Sequence, residues 1–154
     1  MFSLLRRGRQ LGLSFKTQAD LFDQLVAPIL MYGCEVWGYE DIEKIQVVQK
    51  KFYKYMLRLN TSTPSAMVFG EFGKFPIDLK IKEQMVGYWA KLKLEPNTKK
   101  WNVIMLNIIE ELAQGKFVNS KWFNYIKLIL TECSKDHLLY QGINDVTIEG
   151  RIKE

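Results

Sequence analysis

The residues best placed to do chemistry in this chain are cations. Lys44, Lys51 and Arg58 follow one another at intervals of seven, and Lys54 lies three residues from Lys51 and four from Arg58. Seven residues is nearly two helical turns, so on an α-helix these groups align along one side. Arg6, Arg7 and Arg9 form a second cluster. Two such segments suit a nucleic-acid backbone. Each neutralised phosphate releases condensed counterions, so binding is salt-sensitive and largely blind to sequence. A solvated helix face carries the same pattern. Total charge does not separate the two, because 22 Lys and Arg against 17 Asp and Glu leave a net +5, which also serves solubility. Distribution is more telling. Residues 1–16 hold Arg6, Arg7, Arg9 and Lys16 and no acid, residues 17–47 hold six acids against Lys44 alone, and residues 48–58 hold Lys50, Lys51, Lys54 and Arg58 and no acid. The charge is blocked along the chain.

Catalytic chemistry finds little to work with. His137 is the one histidine, and Cys34 and Cys133 stand 99 residues apart. A structural zinc site wants four Cys/His ligands, normally in close pairs, and a nucleophile–base–orienter set needs more than one histidine allows here. The paired acids Glu40-Asp41 and Glu110-Glu111 are sequence neighbours, which on a helix point about 100° apart and do not converge on a metal. Gly70-Glu-Phe-Gly73 lacks the glycine count and the following Lys-Ser/Thr of a phosphate cradle. The expectation is a chain without catalytic residues, metal ligands or cofactor.

The elements that must position the cations are helical. Leu4, Leu5 and Leu11 mark the tail of a basic helix stopped by Gly12; it starts partway into its pattern, which reads as a chain cut from a longer one. Thr17, with Asp20 three residues on, is the expected N-cap of the next helix. Pro28 lies inside that helix and predicts a kink, because it lacks an N–H and crowds the preceding turn; Gly33 ends it. Tyr32 and Trp37 are expected to lock the following corner onto the core. A third helix spans about Asp41 to Leu59, with Ile42, Ile45, Val48, Phe52, Tyr55, Met56 and Leu59 inward. A short helix follows Pro64, to about Val68, and Gly70 and Gly73 bracket a turn. A long helix opens at Pro76 and runs to about Leu94, with Ile77, Ile81, Met85, Tyr88, Trp89 and Leu92 inward. Trp101–Gln114 is expected to bury Trp101, Ile104, Met105, Ile108 and Leu112, and Ser120 to cap a helix carrying Trp122, Phe123, Ile126, Ile129, Leu130 and Cys133. A turn at Asp136–Tyr140 and a strand hint at Val146-Thr-Ile148 complete the reading.

With 154 residues, 47% hydrophobic and 13% aromatic, the chain can pack a core. It is too short for a complete polymerase. The longest apolar run, Leu25 to Cys34, is broken by Pro28 and Gly33 and falls short of the ~20 residues that span a bilayer. Two lone thiols suit a reducing compartment. The expectation is a soluble, intracellular protein with no membrane contact. Trp89, Trp101 and Trp122 fall on apolar helical stripes and read as core rather than as a base-stacking platform.

At the second and third helices a family pattern emerges. Leu21-Phe-Asp-Gln-Leu-Val-Ala-Pro-Ile-Leu-Met-Tyr-Gly-Cys-Glu-Val-Trp-Gly38 resembles the segment after the palm in reverse transcriptases of non-LTR, LINE-type retrotransposons. That family often shows an aliphatic-Pro-aliphatic-Leu-x-Tyr-Gly-x-Glu-x-Trp signature followed by a basic amphipathic helix. Leu5-Arg-Arg-Gly-Arg-Gln-Leu-Gly-Leu13 upstream, with Ser62-Thr-Pro-Ser-Ala-Met-Val-Phe-Gly-Glu-Phe-Gly-Lys-Phe-Pro76 and Ile81-Lys-Glu-Gln-Met-Val-Gly-Tyr-Trp89 downstream, is similar to it in the same order. The resemblance covers about residues 4–140. It implies a thumb-like helical region that contacts the backbone of a template–primer duplex. The palm with its paired aspartates, the endonuclease domain and a C-terminal Cys/His knuckle have no counterpart here, so no catalytic residue of the family carries over.

These readings together describe an all-α, irregular bundle of about six to seven helices in two sub-bundles. Residues 1–95 form a thumb-like region with the basic stripe, and residues 96–154 a helical extension, with the seam at 96–100. The expected function is that of a non-catalytic reverse-transcriptase fragment, at most binding an RNA/DNA duplex through Arg6, Arg7, Arg9, Lys44, Lys51, Lys54 and Arg58. The alternative is a protein-interaction module, or a passive remnant, with an apolar flank exposed to a protein partner.

Overall fold

A computed structural model of the chain describes residues 6–7, 10–114, 120–135 and 139. Among the described residues the fold is all-α: α1 (Phe15–Leu21) runs through a π-helical segment (Phe22–Val26) into α2 (Ala27–Leu30), followed by α3 (Cys34–Trp37), α4 (Ile42–Met56), α5 (Ser65–Phe72), α6 (Ile77–Leu94), α7 (Trp101–Gln114) and α8 (Lys121–Glu132). With the continuous 15–30 stretch taken as one, these are seven helices, as expected. The chain divides into two compact units, Met1–Glu83 and Gln84–Glu154, and the division falls within α6. His137, the 136–140 turn apart from Leu139, and the strand hint at 146–148 lie outside the described residues.

In the first unit, α1 begins three residues earlier than Thr17 implies. Ser14 is the N-cap, its Oγ accepting the Thr17 N–H at 3.1 Å, and Thr17 serves the cap as donor. Pro28 has its effect one turn upstream. The Ala27 N–H reaches back five residues to the Phe22 carbonyl, and Pro28 then sits in the first turn of α2, where its missing N–H costs nothing. The π segment therefore absorbs the proline that would otherwise break the helix.

The unit closes around aromatic rings. Phe22 lies 4.5 Å from Phe52 and 5.7 Å from Tyr53, centroid to centroid, and Tyr53 meets Phe69 at 5.9 Å and Phe72 at 4.8 Å. These tilted and edge-on pairs each add roughly 0.5–1.5 kcal/mol to their area burial. The buried stripe of α4 is Ile45, Gln49, Phe52, Tyr53 and Met56. It is rotated from the expected one, leaving Tyr55 and Leu59 exposed. Gln49 is the surprise among these. Its carboxamide accepts the Ile77 N–H at 2.8 Å and donates to the Phe75 carbonyl at 3.3 Å. It thus satisfies one of the orphan N–H groups at the start of α6. Losing it would strand that buried donor, at about 1–3 kcal/mol.

α5 runs to Phe72, four residues beyond the expected end, with Gly70 inside it. It stops at Gly73, where φ is +58°, with the Lys74 N–H bonded to the Phe69 carbonyl and the Gly73 N–H to the Gly70 carbonyl, a Schellman closure. Lys74, the next residue, reaches Asp20 Oδ1 and Asp23 Oδ2, both at 2.8 Å, and Lys80 stands 3.8 Å from Asp23. The loop after α5 is thereby tied to α1 and the π segment.

In the second unit the core joins Trp89, Ala90 and Leu92 of α6, Val103 and Leu106 of α7, and Phe123, Ile126 and Leu130 of α8, with Ile109 and Trp122 packed against it. The Ser120 Oγ caps α8 by accepting the Phe123 N–H, as expected. Glu110 accepts hydrogen bonds from Trp89 Nε1 and from Lys93 Nζ, so α7 turns Glu110 inward beside Val103 and Leu106. The face of α7 expected inward is so only in part, with Ile104 and Leu112 half-buried. Trp101, Met105 and Ile108 point to solvent, 81%, 51% and 41% exposed. Cys133 is likewise exposed.

The Lys74 bridge sets a pH window. The hydrogen bond that Lys74 donates holds the Asp20 carboxyl below its ordinary 3.8, and donating to Asp20 and Asp23 holds the Lys74 ammonium above its ordinary 10.5. A depressed carboxyl stabilises above its unfolded pKa and loses that contribution as pH falls through the folded value. A raised ammonium stabilises below its unfolded pKa and loses it as pH rises. Lys74→Met is expected to lower stability by a constant amount between about pH 5 and 10, with the gap to the unaltered chain shrinking below about pH 4. Urea titrations across pH measure it.

Candidate functional site

The aromatic packing of Phe52 and Tyr53 decides which side of α4 meets water. At 100° per residue, Lys44, Lys51 and Lys54 fall within an arc of about 80° on the opposite side, with Val47 inside it and Tyr55 about 20° beyond its Lys44 edge. Lys44 and Lys51 are exposed and Lys54 is half-buried. Lys44 Nζ lies 2.6 Å from Asp41 Oδ1, with both side chains more than half exposed, and that hydrogen bond raises its pKa. An ion pair so open to solvent is worth little and exchanges readily for a phosphate. The Lys51 ammonium meets no described partner. Lys54 Nζ donates to the Thr61 carbonyl at 2.6 Å, holding the loop after α4 over the end of the helix.

Arg58 departs from the expected stripe. α4 ends at Met56, and Arg58 takes a left-handed conformation with φ +54°. The Leu59 N–H bonds the Lys54 carbonyl at 2.9 Å and the Arg58 N–H bonds the Tyr55 carbonyl at 3.3 Å. This is a Schellman end with arginine where glycine is usual. A non-glycine residue in this region costs about 1 kcal/mol or more. Arg58 is exposed and continues the cationic side as part of the closing turn, off the helix itself.

Of the N-terminal cluster, Arg6 and Arg7 are exposed helical residues and Arg9 lies outside the described residues. The structure gathers Lys44, Lys51, Lys54 and Arg58 on one element and its end. Arg6 and Arg7 belong to a separate segment. Sequence reasoning missed Lys50, whose Nζ donates to Gln46 Oε1 at 2.6 Å while Gln46 Nε2 donates to Asp78 Oδ1 at 3.1 Å. This relay joins the flank of α4 to the first turn of α6. Polar residues one turn apart on α4 (Gln46, Lys50) were the signal available.

The Tyr-Gly-Cys-Glu-Val-Trp corner before α4 folds around its own backbone. Gly33 has φ +69°, open at little cost to glycine alone, and Trp37 Nε1 donates to the Tyr32 carbonyl at 2.8 Å. Cys34 fills the core, fully buried, while the Tyr32 ring is 85% exposed. Trp37, half-buried, ties the corner to its own backbone and not to the core, and Cys34 is the inward anchor in place of Tyr32.

The acidic pairs do not converge: Asp41 is engaged by Lys44, and Glu110 turns to Trp89 and Lys93. Among the described residues no group of three or more His, Cys, Asp or Glu side chains could hold a metal ion, and no helix is long and apolar enough to cross a membrane. Comparison with protein-family models, with curated proteins and with solved structures finds no match for this chain.

The two thiols should differ sharply in reactivity. Burial pushes the Cys34 thiol up to about 11, whereas Cys133 is exposed. Since the thiolate is the reactive form, iodoacetamide near pH 8 is expected to alkylate Cys133 readily and Cys34 only after unfolding, as read by peptide mass spectrometry.

Proposed function

We propose that this chain is a non-catalytic helical region of the kind that follows the palm in non-LTR retrotransposon reverse transcriptases, and that it binds the phosphate backbone of an RNA–DNA duplex. The observation that carries the reading is the outward side of α4, where Lys44, Lys51 and Lys54 stand opposite a tightly packed aromatic face and Arg58 occupies a left-handed position that glycine would fill at lower cost. The order of the sequence motifs from Leu5 to Trp89 supports the family assignment. Phosphate contacts of this kind orient a duplex without reading its bases. Tyr55, exposed on the same side, adds a flat apolar surface beside the cations. Two cysteines that form no disulfide fit a reducing, intracellular setting.

A second reading, a helical protein-interaction module, is favoured by the exposed apolar run Leu25, Ile29, Tyr32 and Val36 in the first unit. Acidic residues dominate this part of the sequence, which suits a partner whose apolar stripe is bordered by basic side chains.

Fluorescence anisotropy with a labelled RNA–DNA hybrid across a salt series separates the two. The first reading expects affinity that falls steeply with salt and weakens strongly in Lys51→Glu. It also expects Arg58→Gly to make the fold more stable by about 1 kcal/mol while lowering the steepness of the salt dependence by about one unit of log K per log salt. Absence of binding at low salt would end the first reading and leave the second.

A further inference from the structure

The outward side of α7 carries a pattern that the core of its own unit does not use. Trp101, Met105, Ile108 and Leu112 recur at spacings of four, three and four. That is the spacing of two successive a/d heptads, here starting on d. The opposite side of the same helix supplies Val103 and Leu106 to the core and turns Glu110 toward Trp89 and Lys93. α7 is therefore packed on one side, while its heptad seam holds Trp101, the most exposed tryptophan among the described residues, half-exposed Met105 and Ile108, and half-buried Leu112. A contiguous apolar seam of this kind on a helix that is already anchored marks a surface for another helix.

Charge selects the occupant. The residues just before α7 are Lys99 and Lys100, and its last full turn carries Glu110 and Glu111. Lys100 pairs with Glu95 at 2.6 Å and Glu110 is engaged in the core. Lys99, in the turn before Trp101, and Glu111, next to Leu112, are both exposed and stand at opposite ends of α7 with opposite signs. A second α7 laid antiparallel across the first places Trp101 opposite Leu112 and Met105 opposite Ile108. It brings Glu111 of each copy beside the Lys99 end of the other and opposes the helix dipoles favourably. A parallel pairing would set Glu111 against Glu111 and Lys99 against Lys99. The end charges are complementary in the antiparallel orientation only, and that pairing is an isologous two-fold contact.

We infer that this chain forms an antiparallel homodimer through the Trp101/Met105/Ile108/Leu112 side of α7. Three exposed side chains and half-buried Leu112 from each copy amount to a contact of at most about 1,000 Å² in total, at the small end of specific interfaces, so the dimer is a weak one, with dissociation in the micromolar range or above. The contact is independent of the basic side of α4: it uses a different helix, and its presence or absence leaves hybrid binding by the monomer untouched.

Sedimentation equilibrium of the full chain over a wide concentration range, with no nucleic acid, tests the inference. A concentration-dependent monomer–dimer equilibrium is expected. Met105→Glu, at an exposed position, is expected to leave the circular dichroism and melting temperature close to those of the unaltered chain while weakening the dimer by roughly tenfold or more. Orientation is tested by charge reversal. Glu111→Lys alone and Lys99→Glu alone each weaken the dimer, and the chain carrying both regains it. A chain that stays monomeric at the highest concentration, or whose association ignores Met105→Glu, overturns the dimer. Failure of the double reversal to restore association overturns the antiparallel arrangement.

Discussion

The packing of Phe22 against Phe52 and Tyr53 is the contact on which the first unit depends. Phe22 stands at the first position of the π segment, and its ring packs against both Phe52 and Tyr53 of α4. Phe52 and Tyr53 are sequence neighbours about 100° apart on the helix. Burying both fixes the rotation of α4 with little freedom left. Gln49 then holds the start of α6 against the same helix through two hydrogen bonds, and Lys74 ties the loop after α5 to Asp20 and Asp23. The outward side of α4, with Lys44, Lys51 and Lys54, is a consequence of this inward one.

Much of the fold was legible in the sequence, because apolar periodicity and helix punctuation act locally. Gly33, Pro76 and Ser120 each mark a real helix boundary, Pro28 marks a local irregularity, and α6 and α8 bury most of the residues expected of them, with Tyr88 and Trp122 half-buried and Cys133 exposed. The misreadings share a cause. α7 has apolar residues on two sides, Val103 and Leu106 on one and Trp101, Met105 and Ile108 on the other, and periodicity cannot say which meets the core. The side that packs also carries Glu110, whose partners Trp89 and Lys93 lie on α6, out of reach of a local reading. On α4, an aromatic-rich stripe suggested Tyr55 as inward, whereas the buried set closes around Gln49, a polar residue whose partners lie 26 and 28 residues away.

The candidate site was legible in part for the same reason. The spacing of Lys44, Lys51 and Lys54 depends only on their shared helix, and α4 aligns them. Arg58 was placed on that helix by its spacing of seven, yet the chain turns at Leu57 and puts Arg58 in the left-handed closing position. Helix ends are set by capping hydrogen bonds, and those depend on backbone conformation that spacing does not encode. A cation is thereby held at the mouth of the loop that Lys54 fastens to Thr61, at a cost in backbone conformation that a glycine would avoid.

The central claim is that the outward side of α4, oriented by the aromatic core beneath it, is the surface that meets a nucleic-acid backbone. Titrating an RNA–DNA hybrid into the ¹⁵N-labelled chain at low salt and mapping the perturbed amides tests this most directly. The account predicts perturbations concentrated between Lys44 and Thr61 that vanish as salt is raised. Perturbations centred elsewhere, on the seam of α7 for example, or no perturbation at any salt, would contradict it.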